Sequence, residues 1–218
     1  MQKTIISFDL GTGGNKASLY NSDGTCLASV FEPYETAYPR VGWHEQKPAD
    51  WWRAVVASTR RLLAESLVER DSIVGLGISG HSLGAVPVDR EGNLLRESTP
   101  IWSDIRAQEQ VKLFFANTNA DEWYMVTGNG FPAACYTVFK VMWYRDHEPD
   151  MFARVHKILG TKDYINFRLT GEMKTDHSYA SGSGVYNLIA QAYSSAFITT
   201  SQLPPEICRA GCLEGDAR

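Results

Sequence analysis

The feature that most constrains the fold is a glycine-rich turn between two β-rich segments near the start of the chain. Residues 4–10 are an apolar run rich in β-branched side chains, residues 11–15 form the turn, and residues 16–20 predict a second strand. The Walker A loop and the Rossmann glycine fingerprint are both followed by a helix, so a strand at this place excludes both. A turn at residues 21–24 and a strand over residues 26–34 then predict an antiparallel meander.

The same turn is a candidate phosphate-binding site. Its glycines free the backbone to direct several N–H groups at one point, and Thr12 and Lys16 add a hydroxyl and an ammonium group. Asp9 cannot bind phosphate directly, but a carboxylate beside phosphates is typical of a site where Mg²⁺ lies between them. The alternative is a plain tight hairpin, in which the glycines are present because the turn needs positive φ angles, and Asp9 and Lys16 face water.

The segments that follow predict helices packed on a sheet. Residues 52–67 carry apolar side chains at helical spacing, with Asp50 as the N-cap. Residues 73–79 are typical of a strand buried on both faces, which ends in the loop at residues 80–84. From residue 103 onward the pattern is mostly helical, with Gly171 expected just after one helix, and residues 175–188 return to a loop and a short strand.

Composition excludes several classes of partner. The chain has 21 Lys plus Arg and 25 Asp plus Glu, which gives a net charge of −4. Its sequence has no run of Lys and Arg that would bind nucleic acid or anionic lipid. No window approaches the roughly 18 apolar residues of a membrane span, and Asp9 interrupts the initial apolar run that a signal peptide would need. We therefore expect a cytoplasmic protein without nucleic-acid or membrane partners. Its four cysteines are expected to be unpaired thiols.

Several strings along the chain resemble the FGGY carbohydrate kinases, and within that family the xylulose kinases. They are Asp9-Leu10-Gly11-Thr12 through Lys16; Gly42-Trp43-His44-Glu45-Gln46 with Pro48 and Trp51-Trp52; Gly77-Ile78-Ser79-Gly80; Trp102-Ser103-Asp104-Ile105-Arg106; and Thr175-Asp176 with Ser178, Ala180, Ser181 and Gly182. The resemblance implies an α/β fold of the actin-like ATPase or ribonuclease H-like type, with a mixed central sheet that starts as an antiparallel meander and has flanking helices. It also implies phosphorylation of a ketose or polyol that depends on ATP and Mg²⁺.

At the hairpin, the resemblance gives each polar group a role. Asp9 would hold Mg²⁺, and Gly11, Thr12 and Gly13 would approach the transferred phosphate. Lys16 also matches a family position, although an outward-pointing strand lysine fits the pattern equally well. Many relatives carry a hydroxyl residue where this chain has Gly13, so one hydrogen bond to phosphate is expected to be absent.

The loop at residues 80–84 is the first predicted sugar contact. His81 and Ser82 stand where xylulose kinases, which this chain resembles, carry sugar-contacting residues, and both side chains can donate and accept hydrogen bonds. The alternative for His81 is a loop histidine bonded to backbone. Leu83 stands at the third such position and forms no hydrogen bonds, which weakens an assignment to xylulose itself.

Trp102, Asp104 and Arg106 are the second predicted sugar contact. Sugar sites commonly pair an aromatic face with a carboxylate or guanidinium that orients hydroxyl groups. The alternative places Trp102 in the core, Asp104 at a helix cap and Arg106 on the surface.

One catalytic group is missing from these assignments, because phosphoryl transfer also needs a carboxylate that orients and accepts the hydroxyl proton. The resemblance places this aspartate, and the adenosine pocket, in a second half after the matched segment. We therefore interpret residues 1–207 as the sugar-binding N-terminal domain and residues 208–218 as an irregular tail, and we expect the isolated chain to be a poor catalyst. An exposed apolar interdomain face favours a homodimer. The alternative function is a non-catalytic actin-like or sugar-binding module.

Overall fold

The structure is a computed structural model that describes residues 2–66, 68–208 and 211–212. The strands are β1 (Thr4–Leu10), β2 (Gly14–Asn21), β3 (Cys26–Pro33), β4 (Glu45–Gln46), β5 (Ile73–Gly80), β6 (Val86–Val88), β7 (Thr99–Pro100), β8 (Lys157–Leu159), β9 (Lys174–Thr175), β10 (Tyr186–Asn187), β11 (Ala192–Tyr193) and β12 (Gly211–Cys212). The helices are α1 (Pro48–Glu65), α2 (Gln108–Phe115), α3 (Ala120–Thr127), α4 (Thr137–His147), α5 (Pro149–Phe152), α6 (Thr161–Thr170), α7 (His177–Ser181), α8 (Ser195–Ser201) and α9 (Pro205–Cys208). Short 3₁₀ turns precede β5 and α4.

The central sheet confirms the predicted meander. Its strand order is β3-β2-β1-β5, in which β1 pairs antiparallel with β2, β2 pairs antiparallel with β3, and β5 lies parallel to β1. The parallel strand comes after α1, as a crossover connection requires. The result is the mixed α/β sheet with flanking helices that the sequence predicted.

Helix α1 covers one face of this sheet. Trp51, Val55, Ser58 and Leu62 are buried at helical spacing, and they pack over the meander. The predicted N-cap was wrong, because the helix begins at Pro48, whose fixed φ and missing N–H suit the first helical position. Asp50 lies instead in the first turn, where it pairs with Arg53 at 3.0 Å. The predicted last position of the apolar stripe, residue 67, lies outside the described residues.

Strand β5 differs from its prediction as a strand buried on both faces. The side chains of Val74 and Leu76 are 59% and 52% exposed. Among the described residues β5 has β1 as its one strand neighbour and lies at the edge of the sheet. A continuous apolar run was therefore a poor guide to burial here, because periodicity does not show which neighbours a strand has.

Two apolar cores follow from this arrangement. The first lies between the sheet and helices α1 and α6, and includes Phe8, Leu19, Trp51 and Ile165. The second surrounds α4 and draws on α2, α3 and α8. Gly171 ends α6 in the left-handed conformation with φ +79°, as predicted. The expected loop at residues 175–188 also contains helix α7, which Asp176 caps by accepting a hydrogen bond from Tyr179 N.

The predicted irregular tail is described only in part. Residues 209–210 and 213–218 lie outside the described residues, whereas Gly211–Cys212 runs parallel to β9. Cys26 and Cys135 are free thiols, as expected. In the part of the chain that the structure covers, no helix is both long enough and apolar enough to cross a membrane.

Candidate active site

The turn between β1 and β2 is held in place by side chains from outside the hairpin. Gly11 N donates to Gly14 O at 3.0 Å, which closes the turn. Tyr34 Oη donates to Gly11 O at 2.5 Å, and Gln46 Nε2 donates to Thr12 O at 2.7 Å. Because two buried donors bind its carbonyl oxygens, the turn is anchored by its C=O groups, and the N–H groups that it can offer to an anion are those of Thr12 and Gly13.

Asp9 and Lys16 lie side by side next to this turn. They are register partners in the antiparallel pair β1–β2, and both side chains are exposed on the sheet face away from α1. Burial, and then the charge of Asp9, raise the pKa of the Tyr34 hydroxyl above its usual range. Among the described residues the Asp9 carboxylate has no ion pair within 4 Å, so it is free to accept a cation.

The donor set fits Mg²⁺ that is shared with phosphates better than a metal cage made by the protein. No group of three or more His, Cys, Asp or Glu residues in the described ranges could hold an ion by itself. Mg²⁺ is commonly bound through one or two carboxylates, retained waters and substrate phosphates. An exposed carboxylate at Asp9, beside the Gly11–Thr12 turn, is compatible with that mode of binding.

Trp102 connects the two predicted halves of the site. Its indole Nε1 donates to Thr12 Oγ1 at 3.0 Å, although the residues are far apart in sequence. The Trp102 side chain is 44% exposed, so the ring still presents a free face. The structure therefore brings the candidate sugar-contacting aromatic into direct contact with the candidate phosphate turn.

Asp104 and Arg106 lie beneath this surface. Both side chains have 0% exposure and form a charged pair with an Nη2–Oδ2 distance of 2.7 Å. Asp104 Oδ2 also accepts from His44 N at 2.7 Å, and Arg106 Nη2 also donates to Glu45 Oε1 at 2.7 Å. The Arg106 guanidinium stacks 3.9 Å from the ring centre of Trp43. This position differs from that expected of direct sugar ligands, because the protein itself binds both Asp104 oxygens and the Nε and Nη2 atoms of Arg106.

His81 also has protein partners on both ring nitrogens, and these partners define its tautomer. Gln46 Nε2 must face the carbonyl oxygen of Thr12, so Gln46 Oε1 accepts from Trp51 Nε1 at 2.9 Å. The same oxygen lies 3.2 Å from His81 Nε2, which must therefore carry the proton. His81 Nδ1 then accepts from Thr161 Oγ1 at 3.1 Å.

The loop after β5 keeps one polar side chain at the surface. Burial, and then the charge of Lys140, lower the pKa of His81 to about 4, so the imidazole is neutral near pH 7. Tyr179 Oη donates to the backbone oxygen of His81. The Ser82 side chain is exposed, and Leu83 adopts a left-handed backbone with φ +62°. Ser82 is therefore the residue of this loop that is best placed to meet a ligand.

Residues that sequence reasoning missed form the centre of the site. Gln46 contacts Thr12, Trp51 and His81, and Glu45 accepts from Arg96, Arg106 and Ser98. Both residues were inside a family-like string but had no assigned role. A polar pair within a stretch rich in tryptophan was the available signal, because buried polar groups need partners.

The class of protein follows from the fold. Solved structures of sugar kinases with the actin-like ATPase fold superpose on this chain. One is a xyloylose kinase from Brucella ovis, with a TM-score of 0.89 and 30% identity, covering 97% of this chain and 43% of that one. Another is a xylulose kinase from Rhodospirillum rubrum, with a TM-score of 0.86 and 27% identity, covering 94% of this chain and 42% of that one.

Sequence comparison identifies the family. The profile for the FGGY family of carbohydrate kinases, N-terminal domain, matches residues 4–209, and the chain therefore belongs to this family. It is 33% identical over 198 residues to the xylulose kinase of Klebsiella pneumoniae, covering 91% of this chain and 40% of that protein. It is 29% identical over 204 residues to the xylulose kinase of Staphylococcus xylosus, covering 94% of this chain and 41% of that protein. The chain thus spans about two fifths of the length of these relatives.

Proposed function

We propose that this domain supplies the phosphate turn and the sugar-binding half of a kinase that transfers a phosphoryl group from ATP to a ketose or polyol. The observation that carries this proposal is the 3.0 Å hydrogen bond from Trp102 Nε1 to Thr12 Oγ1. A sugar packed on the exposed Trp102 ring would lie beside a phosphate held at the turn. Phosphoryl transfer depends mainly on such positioning and on charge stabilisation, and the protein contributes little covalent chemistry.

On this proposal each side chain at the phosphate turn has a distinct task. Asp9 would hold Mg²⁺, which supplies neutralisation of phosphate charge when it is bound. The turn Gly11-Thr12-Gly13 would approach the transferred phosphate through the N–H groups of Thr12 and Gly13, because Gly11 N already donates to Gly14 O. The Lys16 ammonium, on the same exposed face as Asp9, would add a cation near that phosphate.

At the sugar, contact and support are separate tasks. Ser82 and the Trp102 ring would contact the substrate, since both are exposed. His81, Asp104 and Arg106, which the sequence predicted as sugar ligands, would shape the pocket through their contacts with Gln46, Glu45 and each other.

The remaining parts of the reaction need a second domain. The carboxylate that accepts the hydroxyl proton and the adenosine pocket would lie there, as the family resemblance implies, and use of ATP would place the reaction in the cytoplasm. We expect negligible sugar-dependent ATP hydrolysis by the 218-residue chain alone, because one lobe cannot position both substrates. The predicted homodimer, which light scattering would test, is compatible with the exposed apolar side chains of Val74 and Leu76.

Calorimetric titration of this chain with D-xylulose, other ketoses, xylitol and glycerol tests the proposal. We expect weak binding of at least one compound, and loss of that binding in Trp102→Ala. Trp52→Ala is the matched control, because Trp52 lies on α1 and contacts Arg168. It should bind like the wild type. Absence of binding to all these compounds, or equal loss in both variants, would refute the sugar site.

A second titration with Mg²⁺-ADP separates the kinase from the two alternatives. Stronger sugar binding with nucleotide, abolished by Asp9→Ala but retained in the exposed control Asp23→Ala, is the expected result for a kinase half. Tight sugar binding that is indifferent to nucleotide and to Asp9→Ala would indicate a sugar-binding module. Ligand binding that depends on nucleotide but is unchanged by Asp9→Ala would favour a non-catalytic actin-like module.

A further inference from the structure

Helix α4 carries a stripe of polar side chains in a part of the helix whose residues 138–144 are all buried. Thr137, Lys140 and Tyr144 are spaced at i, i+3 and i+7 and therefore lie on one helix face. Lys140 and Tyr144 are fully buried. Buried polar groups need hydrogen-bond partners, and here every partner lies in one of the two segments that lead to the candidate sugar contacts.

The first segment is the loop after β5. Lys140 Nζ donates to Leu83 O at 2.8 Å, Thr137 Oγ1 donates to Gly84 O at 3.2 Å, and Tyr144 Oη donates to Ala85 O at 2.8 Å. Three side chains on one helix face thus bind three consecutive carbonyl oxygens. Leu83 is also the non-glycine residue held at φ +62°, a conformation that costs energy unless the surroundings impose it.

The second segment leads into the Trp102 loop. Lys140 Nζ also donates to Ile101 O at 2.6 Å, one residue before Trp102, and Tyr144 Oη lies 3.2 Å from Thr99 Oγ1. Lys140 therefore joins the two loops directly through one amine. Burial lowers the pKa of the Lys140 amine to about 7, although the negative charge of Asp104 acts in the opposite direction. Removing this amine from water costs free energy, and its hydrogen bonds to the two carbonyl oxygens offset that cost.

We infer that Thr137, Lys140 and Tyr144 are positioning residues, and that Lys140 sets the distance between the loop bearing Ser82 and the loop bearing Trp102. This inference rests on the proposed function, because it assigns the stripe a role in sugar recognition. The stripe does not touch the sugar. It binds the carbonyl oxygens of residues 83–85, which follow Ser82, and of residue 101, which precedes Trp102, and would thereby hold both contact residues at one separation.

The test replaces the amine and leaves the shape of the core nearly unchanged. Lys140→Met keeps an unbranched side chain but removes both hydrogen bonds to Leu83 O and Ile101 O. We expect affinity for D-xylulose, measured by calorimetry on the 218-residue chain, to fall by at least about tenfold, since binding would then have to order the two loops that these hydrogen bonds hold in the wild type. Hydrogen exchange should become faster at the amides of residues 82–85 and of residues 102–105 together.

Met142→Ala is the matched control. Met142 is buried on the same helix in the second core, so the change lowers stability without removing a bond to either loop. Sugar affinity should stay at the wild-type value in this variant. The amides of the two loops should not exchange faster than those of the rest of the chain. Wild-type affinity and wild-type exchange in Lys140→Met would overturn the inference, and so would equal effects in Lys140→Met and Met142→Ala.

Two further outcomes are distinguishable. If the wild-type chain binds neither D-xylulose nor any other compound of the calorimetric titration, the sugar site of the proposed function fails, and the exchange measurement still decides whether Lys140 positions the loops. If Lys140→Met does not fold, Thr137→Val provides the test, because it removes only the hydroxyl bond to Gly84 O. Faster exchange confined to residues 82–85 would then support the inference, and unchanged exchange would overturn it.

Discussion

Gln46 shows how a single side chain connects separate parts of the candidate site. It donates to the phosphate turn at Thr12 and accepts from Trp51 and His81. The carbonyl oxygen of Thr12 can only accept and the indole of Trp51 can only donate, so the orientation of the Gln46 amide is determined. The tautomer of His81 follows from it, and the histidine is bound as a neutral group that accepts from Thr161.

The buried imidazole predicts a pH dependence of stability. An unfolded histidine has a pKa near 6.5, whereas burial and Lys140 lower the pKa of folded His81 to about 4. Between these values the unfolded chain binds more protons, so the free energy of unfolding falls as the pH is lowered. We expect the wild type to be less stable at pH 4 than at pH 7 by about 3 kcal/mol from this residue. Urea unfolding across this range measures the effect.

His81→Gln is the informative variant for this effect. Glutamine does not titrate, so the part of the profile between pH 6.5 and 4 that comes from residue 81 should be absent. An identical slope in wild type and His81→Gln over that range would contradict the assignment of a neutral, buried His81.

At the scale of elements, the β1–β2 hairpin depends on one of its glycines for close packing. A Cβ atom at Gly14 would collide with the Phe31 ring and lie 2.6 Å from Glu32 O, whereas one at Gly13 would meet nothing within 4 Å. Gly14 is buried where β2 pairs with β3, and Gly13 is exposed at the tip of the turn. The two neighbouring glycines therefore have different structural requirements.

Alanine at each position should separate them. We expect Gly14→Ala to lower the free energy of unfolding by about 1–3 kcal/mol, the usual cost of forcing extra atoms into a packed site. Gly13→Ala should change it little, because space is open there. Chemical denaturation of both variants measures the difference. Equal destabilisation would show that the backbone at β3 does not restrict Gly14.

Sequence patterns predicted those elements whose determinants are local. The meander follows from its turns, and the end of α6 follows from the left-handed Gly171. The prediction of Asp50 as the N-cap of α1 was wrong because it gave no weight to Pro48, although proline suits the first helical position. The exposure of Val74 and Leu76 was missed because an apolar run carries no information about which neighbours cover it.

At the scale of the whole molecule, a buried ionic cluster ties distant segments together. Glu45 of β4 pairs with Arg106 at 2.7 Å and with Arg96 at 3.1 Å, and Arg106 pairs with Asp104. Arg96 also pairs with Glu148, next to α5. The cluster connects β4, the Trp102 loop and the end of α4. Its Asp104 and Arg106 side chains are 0% exposed, so their charges depend on each other for compensation.

Breaking this cluster should be strongly destabilising. Arg106→Leu leaves the buried Asp104 without its cation and leaves Glu45 with Arg96 alone, and we expect a loss of about 3–5 kcal/mol in the free energy of unfolding. Arg106→Lys should recover only part of it, since lysine lacks the planar two-point geometry. Arg61→Ala, which removes exposed pairs with Glu32 and Glu65, should change stability little. Urea unfolding compares the three, and a small effect of Arg106→Leu would contradict a compensating role.

The sequence by itself determined the hairpin with its glycine turn through local patterns, and its resemblance to the FGGY family indicated the class of fold and the segments that come near the candidate site. Turn chemistry and periodicity act over a few residues, so they can be recognised without knowing what packs against them. Only the tertiary structure decided that Trp102 meets Thr12, that Asp104 and Arg106 are enclosed, and that Lys140 joins two loops. These contacts join residues distant in sequence, and burial depends on the neighbours that the completed fold brings into place.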